Sequence, residues 1–315
     1  TNDICDEILG WATRLGQIDV PTIFFGGGTP SLIPQKYMCQ ILRTIRQSFL
    51  VVSDAEITLE ANPATIDENK LRDFQDMGIN RLSVGVQRLN DKELQFLGRA
   101  HDTRDAIELI NTAQDLKLRV SADFIYGIPG DTEKTVANMC HQINNLGLTH
   151  CSLYELTIEE NTPFGKMNLN MPSNDEMAIM YQTISSNLEL PRYEVSNYAT
   201  DDQHCKHNEN IWDGAPYIGV GLGAAGRIYH NNTWYEQMGA NQRYEKMSDE
   251  IRTTEMIITG MRTKRGCQLT DTVKNIIDID WINNHSHLVQ INNDRIRATD
   301  DGILVLDDIL VNMVK

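Results

Sequence analysis

The sequence predicts an α/β protein: a parallel β/α array followed by a small helical, winged-helix-like C-terminal module. Three observations carry this. Short β-rich runs recur roughly every 25–40 residues through the first two-thirds of the chain, with helical periodicity between several of them. Polar residues and glycines gather where those runs end, the edge at which parallel β/α folds hold their ligands. After Ala199 the pattern changes to a polar stretch, a glycine-rich stretch, and then helices around one small β element.

The strand runs are 22–25, 56–61, 81–86, 119–125, 151–156 and 193–196. Residues 1–16 read as a helix. Ala106, Leu109, Ile110, Ala113 and Leu116 form a stripe of period 3.6, with Asp102 and Asp105 placed to cap its start. Val136, Met139, Cys140, Ile143 and Leu146 form another, stopped by Gly147. A shorter helix starts at Asn90, with Glu93 three residues on, and stops at Gly98. In the last third a helix is expected over 248–262, then a basic turn at 263–266 and a β element near 288–296. A final helix capped at Thr299 carries Asp300 and Asp301 in its first turn, with Ile303, Leu306, Leu310 and Met313 as its apolar stripe. The domain boundaries expected from these shifts are 1–200 for the β/α array, 201–240 for a connecting segment and 241–315 for the C-terminal module.

At 315 residues and 35.7 kDa the chain fits one large domain with a smaller one, and 41% hydrophobic residues are enough for a real core. Lys and Arg number 28 against 44 Asp and Glu, a net charge of −16. So acidic a chain repels phosphate backbones and anionic lipid surfaces, so no nucleic-acid or peripheral-membrane partner is expected. No apolar run is long enough to span a bilayer, and a cytoplasmic protein is expected. The six cysteines, Cys5, Cys39, Cys140, Cys151, Cys205 and Cys267, form no C-x-x-C pair. Cys140 and Cys151 read as small core residues, and no metal site is legible from these spacings.

The strand-end residues are Gly27 to Thr29, Glu60 to Asn62, Gln87, Asp123, Glu155 and Asn197. A lone Gly-Gly-Gly-Thr after a strand is as readily a tight turn as a cradle of backbone N–H groups. Six such positions in succession at one edge are hard to treat as independent turns, and they point to a ligand face.

Seven motifs then occur in order: GGGTPS at 26–31, LEANP at 59–63, GINRLSVGVQ at 78–87, LGRAH at 97–101, ADFIYGIPG at 122–130, YEVSNYA at 193–199 and HNENIW at 207–212. This series resembles the oxygen-independent coproporphyrinogen III oxidase-like family of radical S-adenosylmethionine (SAM) proteins, closest to its heme-chaperone (HemW-type) branch. The resemblance covers nearly the whole chain from residue 21. It implies an incomplete (β/α)6 TIM-like radical SAM barrel. It implies that Gly27, Gly28 and Thr29 hold the amino-acid end of the cofactor, and that Glu60 accepts from its ammonium or ribose hydroxyls. Gln87 and Arg99 would contact ribose and carboxylate, and Asp123 would complete the polar ring. His207 is the candidate heme contact, its alternative being a histidine in a capped turn.

The family also implies a [4Fe–4S] cluster held by a C-x-x-x-C-x-x-C motif on the first strand. No such motif stands in this sequence: a preceding segment is expected to carry it, the alternative being that the cluster has been lost. Two smaller departures lie near the expected porphyrin site: Ile211 stands where the branch has Tyr, and Ala225 where the family has His. The implied function is a heme chaperone that binds SAM and heme and passes heme to an acceptor protein. The alternative is an oxygen-independent coproporphyrinogen III oxidase of porphyrin biosynthesis, which decarboxylates its substrate. An alternative of another class is a cluster-free β/α protein binding a nucleoside-like ligand.

Overall fold

The computed structural model describes residues 1–239 and 243–315. Strands β1 (Asp19–Phe25), β2 (Leu50–Ala61), β3 (Arg81–Gln87), β4 (Arg119–Tyr126), β5 (His150–Glu155) and β6 (Asn197–Ala199) form one sheet in that order. The sheet is a curled, mostly parallel half-barrel. The same part of the chain contains helices α1 (Asn2–Leu15), α2 (Gln35–Ser48), α3 (Glu68–Asp76), α4 (Asp91–Phe96), α5 (Thr103–Asp115), α6 (Glu133–Asn144) and α7 (Asn174–Asn187). The chain packs as two units. One comprises residues 24–35 and 57–204, and the other 1–23, 36–56 and 205–315.

In the first unit, β2 to β5 run parallel, and their register sorts side chains by chemistry. Leu59 pairs with Leu82, Val84 with Ala122, and Phe124 with Leu153, all buried. That face meets the apolar stripes Leu71 and Phe74 of α3, Ala106 and Ile110 of α5, and Val136 and Ile143 of α6, which are also buried. Each large side chain so buried contributes about 1.5–3 kcal/mol of transfer free energy. The alternate positions are polar. Glu60 pairs with Ser83, Ser83 with Ser121, Ser121 with His150, and Asp123 with Ser152. One face of the sheet is thus the core, and the other is a row of hydroxyls, carboxylates and an imidazole.

The sixth strand departs from the expected parallel array. Residues 193–196 form a turn rather than a strand, and β6 runs antiparallel to β5, with Ser152 opposite Asn197. The turn is closed by Glu194, whose carboxylate accepts from Ser196 N at 2.9 Å and from Asn197 Nδ2 at 2.7 Å. The YEVSN segment has the composition of a strand, but the Glu194 side chain satisfies its backbone locally.

The second unit contains α8 (Lys206–Trp212), a meander of β7 (Gly226–His230), β8 (Thr233–Met238) and β9 (Arg243–Lys246), and α9 (Asp249–Met261). Then come β10 (Cys267–Gln268), α10 (Asp271–Ile276), α11 (Ile279–Asn284), β11 (Val289–Asn292), β12 (Arg295–Ala298) and α12 (Leu306–Met313). The last three strands form an antiparallel sheet in the order β10-β12-β11, the small β element expected near its helices. The meander was not expected. Its signal is Asn231-Asn232, both at positive φ (49° and 57°), a pair suited to a tight hairpin turn. The boundary expected between 240 and 241 lies outside the described residues. The final helix begins later than expected: the Thr299 hydroxyl accepts from Gly302 N at 3.0 Å, and a 3₁₀ turn over Gly302–Val305 precedes α12.

At α5 the expected capping box is present, with Asp102 accepting from Asp105 N and Asp105 from Asp102 N. Asp102→Ala strands the Asp105 donor at the helix start and should lower stability by about 1 kcal/mol in urea unfolding.

Candidate functional site

The carboxyl edge of the half-barrel begins at the glycine turn after β1. Gly27 and Gly28 have φ of 78° and 60°, a left-handed backbone that a side chain would strain. A Cβ added at either would meet nothing within 4 Å, so the turn faces open space. Gly27 N donates to Glu60 Oε2 at 3.1 Å, so this amide orients the carboxylate at the end of β2. Thr29 is half-buried and opens a 3₁₀ turn over Pro30–Leu32. That turn is tied down through Ser31, whose hydroxyl bonds Thr65 and whose carbonyl accepts from the Lys70 ammonium.

Burial pushes the Glu60 carboxyl above its ordinary value; the Gly27 amide opposes that shift, and the nearby Asp123 charge adds to it. Asp123 is held differently from expectation. It sits in mid-strand, not at the edge, and its oxygens accept from Ser83 Oγ at 2.7 Å and Ser121 Oγ at 3.4 Å. Burial raises its pKa, and the serines and the Arg81 charge oppose the shift. Below it, the buried His150 bonds Ser121 Oγ through Nδ1 at 2.7 Å and Tyr193 Oη through Nε2 at 2.8 Å. Burial, followed by the charges of Arg81, Arg119 and His204, holds that imidazole well below its ordinary pKa. Tyr193 stacks on His204 with ring centroids 3.9 Å apart. Asp123 is therefore the upper end of an internal polar chain, facing Glu60.

At the end of β3, Gln87 has φ of 68° although it is not glycine. Arg88 N donates to Val86 O at 2.9 Å across it, which makes Gln87 the centre of a strained γ-turn. The Gln87 amide lies over Gly85, where an added Cβ would come within 2.9 Å of Nε2 and 3.2 Å of Asn62 Oδ1. Arg99 lies just past α4. It is exposed, and its guanidinium has no hydrogen-bond or ion-pair partner among the described residues. The structure thus brings Gly27, Glu60 and Asp123 together, while Gln87 stands at the end of β3 and Arg99 in the loop after α4. The sequence places Asn62 among the strand-end residues without a role, and passes over Gly85, although both lie within the motifs.

His207 lies in the other unit, in the first turn of α8. Its Nδ1 bonds Thr22 Oγ1 at 3.1 Å, and its backbone N–H donates to the buried Glu56 carboxylate at 3.0 Å. Burial lowers its pKa, with the Glu56 charge opposing. His207 and Trp212 are five residues apart on one helix, so their side chains leave it in directions about 140° apart. The glycine-rich stretch is partly consumed by the chain's own packing: Gln237 bonds both N and O of Gly219, and a Cβ on Gly226 would meet Tyr217 O at 2.8 Å.

The radical SAM superfamily profile matches residues 2–143. The chain belongs to the radical SAM superfamily. Within it the chain falls with the HemN-like proteins near the HemW branch. It is 36% identical over 214 residues to the heme chaperone HemW of Escherichia coli, covering 67% of this chain and 57% of that protein. It is 34% identical over 261 residues to the mitochondrial radical S-adenosyl methionine domain-containing protein 1 of Danio rerio, covering 80% and 58%. The chain thus spans just under three-fifths of the length of these curated relatives. Among solved structures, the coproporphyrinogen III oxidase HemN of Escherichia coli superposes with a TM-score of 0.80 at 18% identity. That match covers 98% of this chain and 81% of the oxidase, and it establishes the fold. Among the described residues no helix is long and apolar enough to cross a membrane.

Superfamily membership implies SAM and a [4Fe–4S] cluster. The strand-edge residues fit SAM: an open left-handed glycine turn, a carboxylate beside it and a guanidinium without a protein partner. The cysteines do not fit the cluster. Five of the six are buried, burial raises the Cys151 thiol strongly and the Cys140 thiol to about 12, and no metal-ligand group forms among the described residues.

The Glu60 shift has a testable sign. A carboxyl raised in the folded state is stabilised there in its neutral form, so its contribution is favourable below the unfolded pKa and is lost as pH rises through the folded one. Glu60→Gln, without ligand, should therefore raise the melting temperature at pH 7, and the gain should vanish towards pH 4. An equal or greater gain at pH 4 would contradict this origin.

Proposed function

We propose that the chain is a radical SAM-superfamily heme chaperone, binding SAM at the carboxyl edge of its half-barrel and heme as cargo for an acceptor protein. The single observation that carries the SAM site is the open Gly27–Gly28 turn oriented onto Glu60. Gly28 N–H and the Thr29 hydroxyl face the cofactor carboxylate. Glu60, fixed by Gly27 N–H, accepts from its ammonium or ribose hydroxyls. Gln87 reaches the ribose, and Arg99 makes the charge-assisted pair with the carboxylate. Asp123 closes the polar ring from below. The described residues supply no cluster ligands, so their roles at this site are to bind and orient.

The chaperone reading is supported by relatives named heme chaperones at about one-third identity, whereas the oxidase shares 18% and so speaks for the fold alone. A cytoplasmic location and His207 as a heme contact belong to the same proposal.

Calorimetry with SAM or S-adenosylhomocysteine should show saturable binding that Glu60→Ala or Gln87→Ala each weakens by about 1–3 kcal/mol, the cost of stranding a buried or charged partner. Identical affinity in wild type and both variants would reject the site.

Heme titration followed at the Soret band should saturate at a defined ratio. His207→Ala should abolish the saturable shift, and His204→Ala, which removes a ring stacked on Tyr193, should leave it intact. An unsaturable signal insensitive to both substitutions would mean surface adsorption and would remove the main support for heme as cargo.

A further inference from the structure

The γ-turn at Gln87 is strained, and something must hold it. Two groups outside the ligand-facing set do so. His101 is buried, and its Nε2 lies 3.1 Å from Val86 O; a carbonyl only accepts, so this nitrogen carries the proton. Val86 O therefore takes two donors, Arg88 N from within the turn and His101 Nε2 from beyond α4.

On the other side of Gln87, the Arg88 side chain is 2% exposed and uses its whole fork. Nη2 and Nη1 pair with Asp131 Oδ1 and Oδ2 at 2.7 and 3.1 Å, Nη1 also donates to Ile125 O at 2.9 Å, and Nε pairs with Glu93. Asp131 in turn accepts from Gly127 N at 2.9 Å and Ile128 N at 3.1 Å, and from the Thr135 hydroxyl at 3.2 Å. Gly127 itself has φ of 78°. One buried ion pair thus joins the turn after β3 to the loop after β4, and Asp131 holds two backbone amides of that loop, one of them at the left-handed Gly127.

We propose that Arg88, with Asp131 and His101, is a positioning device that holds the Gln87 γ-turn and the loop over 127–131 as one preorganised rim for the ligand. None of the three belongs to the ligand-facing set proposed above. The inference rests on the SAM site proposed above and goes beyond it by saying what keeps that site in shape. An isolated buried ion pair is a poor source of net stability, since desolvation offsets attraction. A pair whose further bonds reach Ile125 O in β4, the Gly127 and Ile128 amides, and the side chains of Glu93 and Thr135 ties together the segments around both turns, and is better explained by the geometry it imposes.

The test uses the 315-residue chain. Arg88→Lys keeps the charge and loses the planar fork. Affinity for S-adenosylhomocysteine should fall about ten-fold or more, the equivalent of about one charge-assisted hydrogen bond. Hydrogen exchange at the amides of Gln87, Arg88, Gly127 and Ile128 should accelerate at least ten-fold without ligand. A double-mutant cycle gives a readout independent of ligand: glycine enters the γ-turn without strain, so Arg88→Lys should cost less stability in a Gln87→Gly background than in wild type. His101→Phe, which keeps the ring and removes the donor to Val86 O, should speed exchange at Gln87 and covers the case in which Arg88→Lys does not fold. Unchanged affinity in an Arg88→Lys protein of reduced stability would overturn the proposal, leaving the pair merely structural. Strict additivity in the cycle with unchanged exchange at the four amides would overturn it as well. Failure of wild type to bind S-adenosylhomocysteine would instead reject the SAM site, and the cycle and the exchange rates would still decide the brace.

Discussion

Glu60 and Asp123, the two carboxylates of the half-barrel's polar face, are placed by one constraint, the two-residue alternation of strands β2 to β5 locked in parallel register. Because Leu59, Leu82, Ala122 and Cys151 must face the helices, Glu60, Ser83, Ser121, Asp123 and Ser152 must face the other way. A slip of one residue in any strand would bury its carboxylate or hydroxyl among apolar side chains and expose core residues in exchange. Apolar packing therefore selects the register, and the register assembles the polar face. The site's precision is inherited from burial on the opposite face of the same strands.

The polar face has two levels with different energetics. At the edge lie groups with few protein partners: an open glycine turn, a carboxylate oriented by one amide, and an exposed guanidinium. Deeper in, Asp123, Ser121, His150 and Tyr193 satisfy one another, as buried polar groups must. The raised pKa of Glu60 marks the transition between the two levels. It is a carboxylate placed near another and half withdrawn from water, a position that costs stability in the free protein and suits a cation-bearing ligand.

Much of this was legible in the sequence. Strands β1 to β5 and the caps at Asp102 and Asn90 follow from periodicity and capping rules, and the structure carries them out. The strand-edge pattern likewise led to Gly27, Glu60 and Gln87. What stayed hidden depends on interactions between segments distant in sequence or on backbone torsions. Nothing in the string YEVSN states that Glu194 will turn the chain back, and Asp123 looks like a strand-end residue until the true length of β4 places it in mid-strand. Arg88 and Asp131 are 43 residues apart, each adjacent to a motif rather than within its chemistry. The meander over β7 to β9 is announced only by the Asn231-Asn232 pair, which sequence reasoning passed over.

The three-residue antiparallel β6 has a consequence for solubility. A half-barrel, unlike a closed one, keeps free strand edges, and a free edge is a template for pairing with another chain. On β6 the backbone leading into the strand pairs with it, with Arg192 bridged to Tyr198 and Ala199 N bonded to Pro191 O. The strand is too short to seed a ladder, and its outward hydrogen-bonding groups are already engaged by the chain's own turn. The reversal that breaks the parallel array thus makes this edge of an open barrel self-terminating.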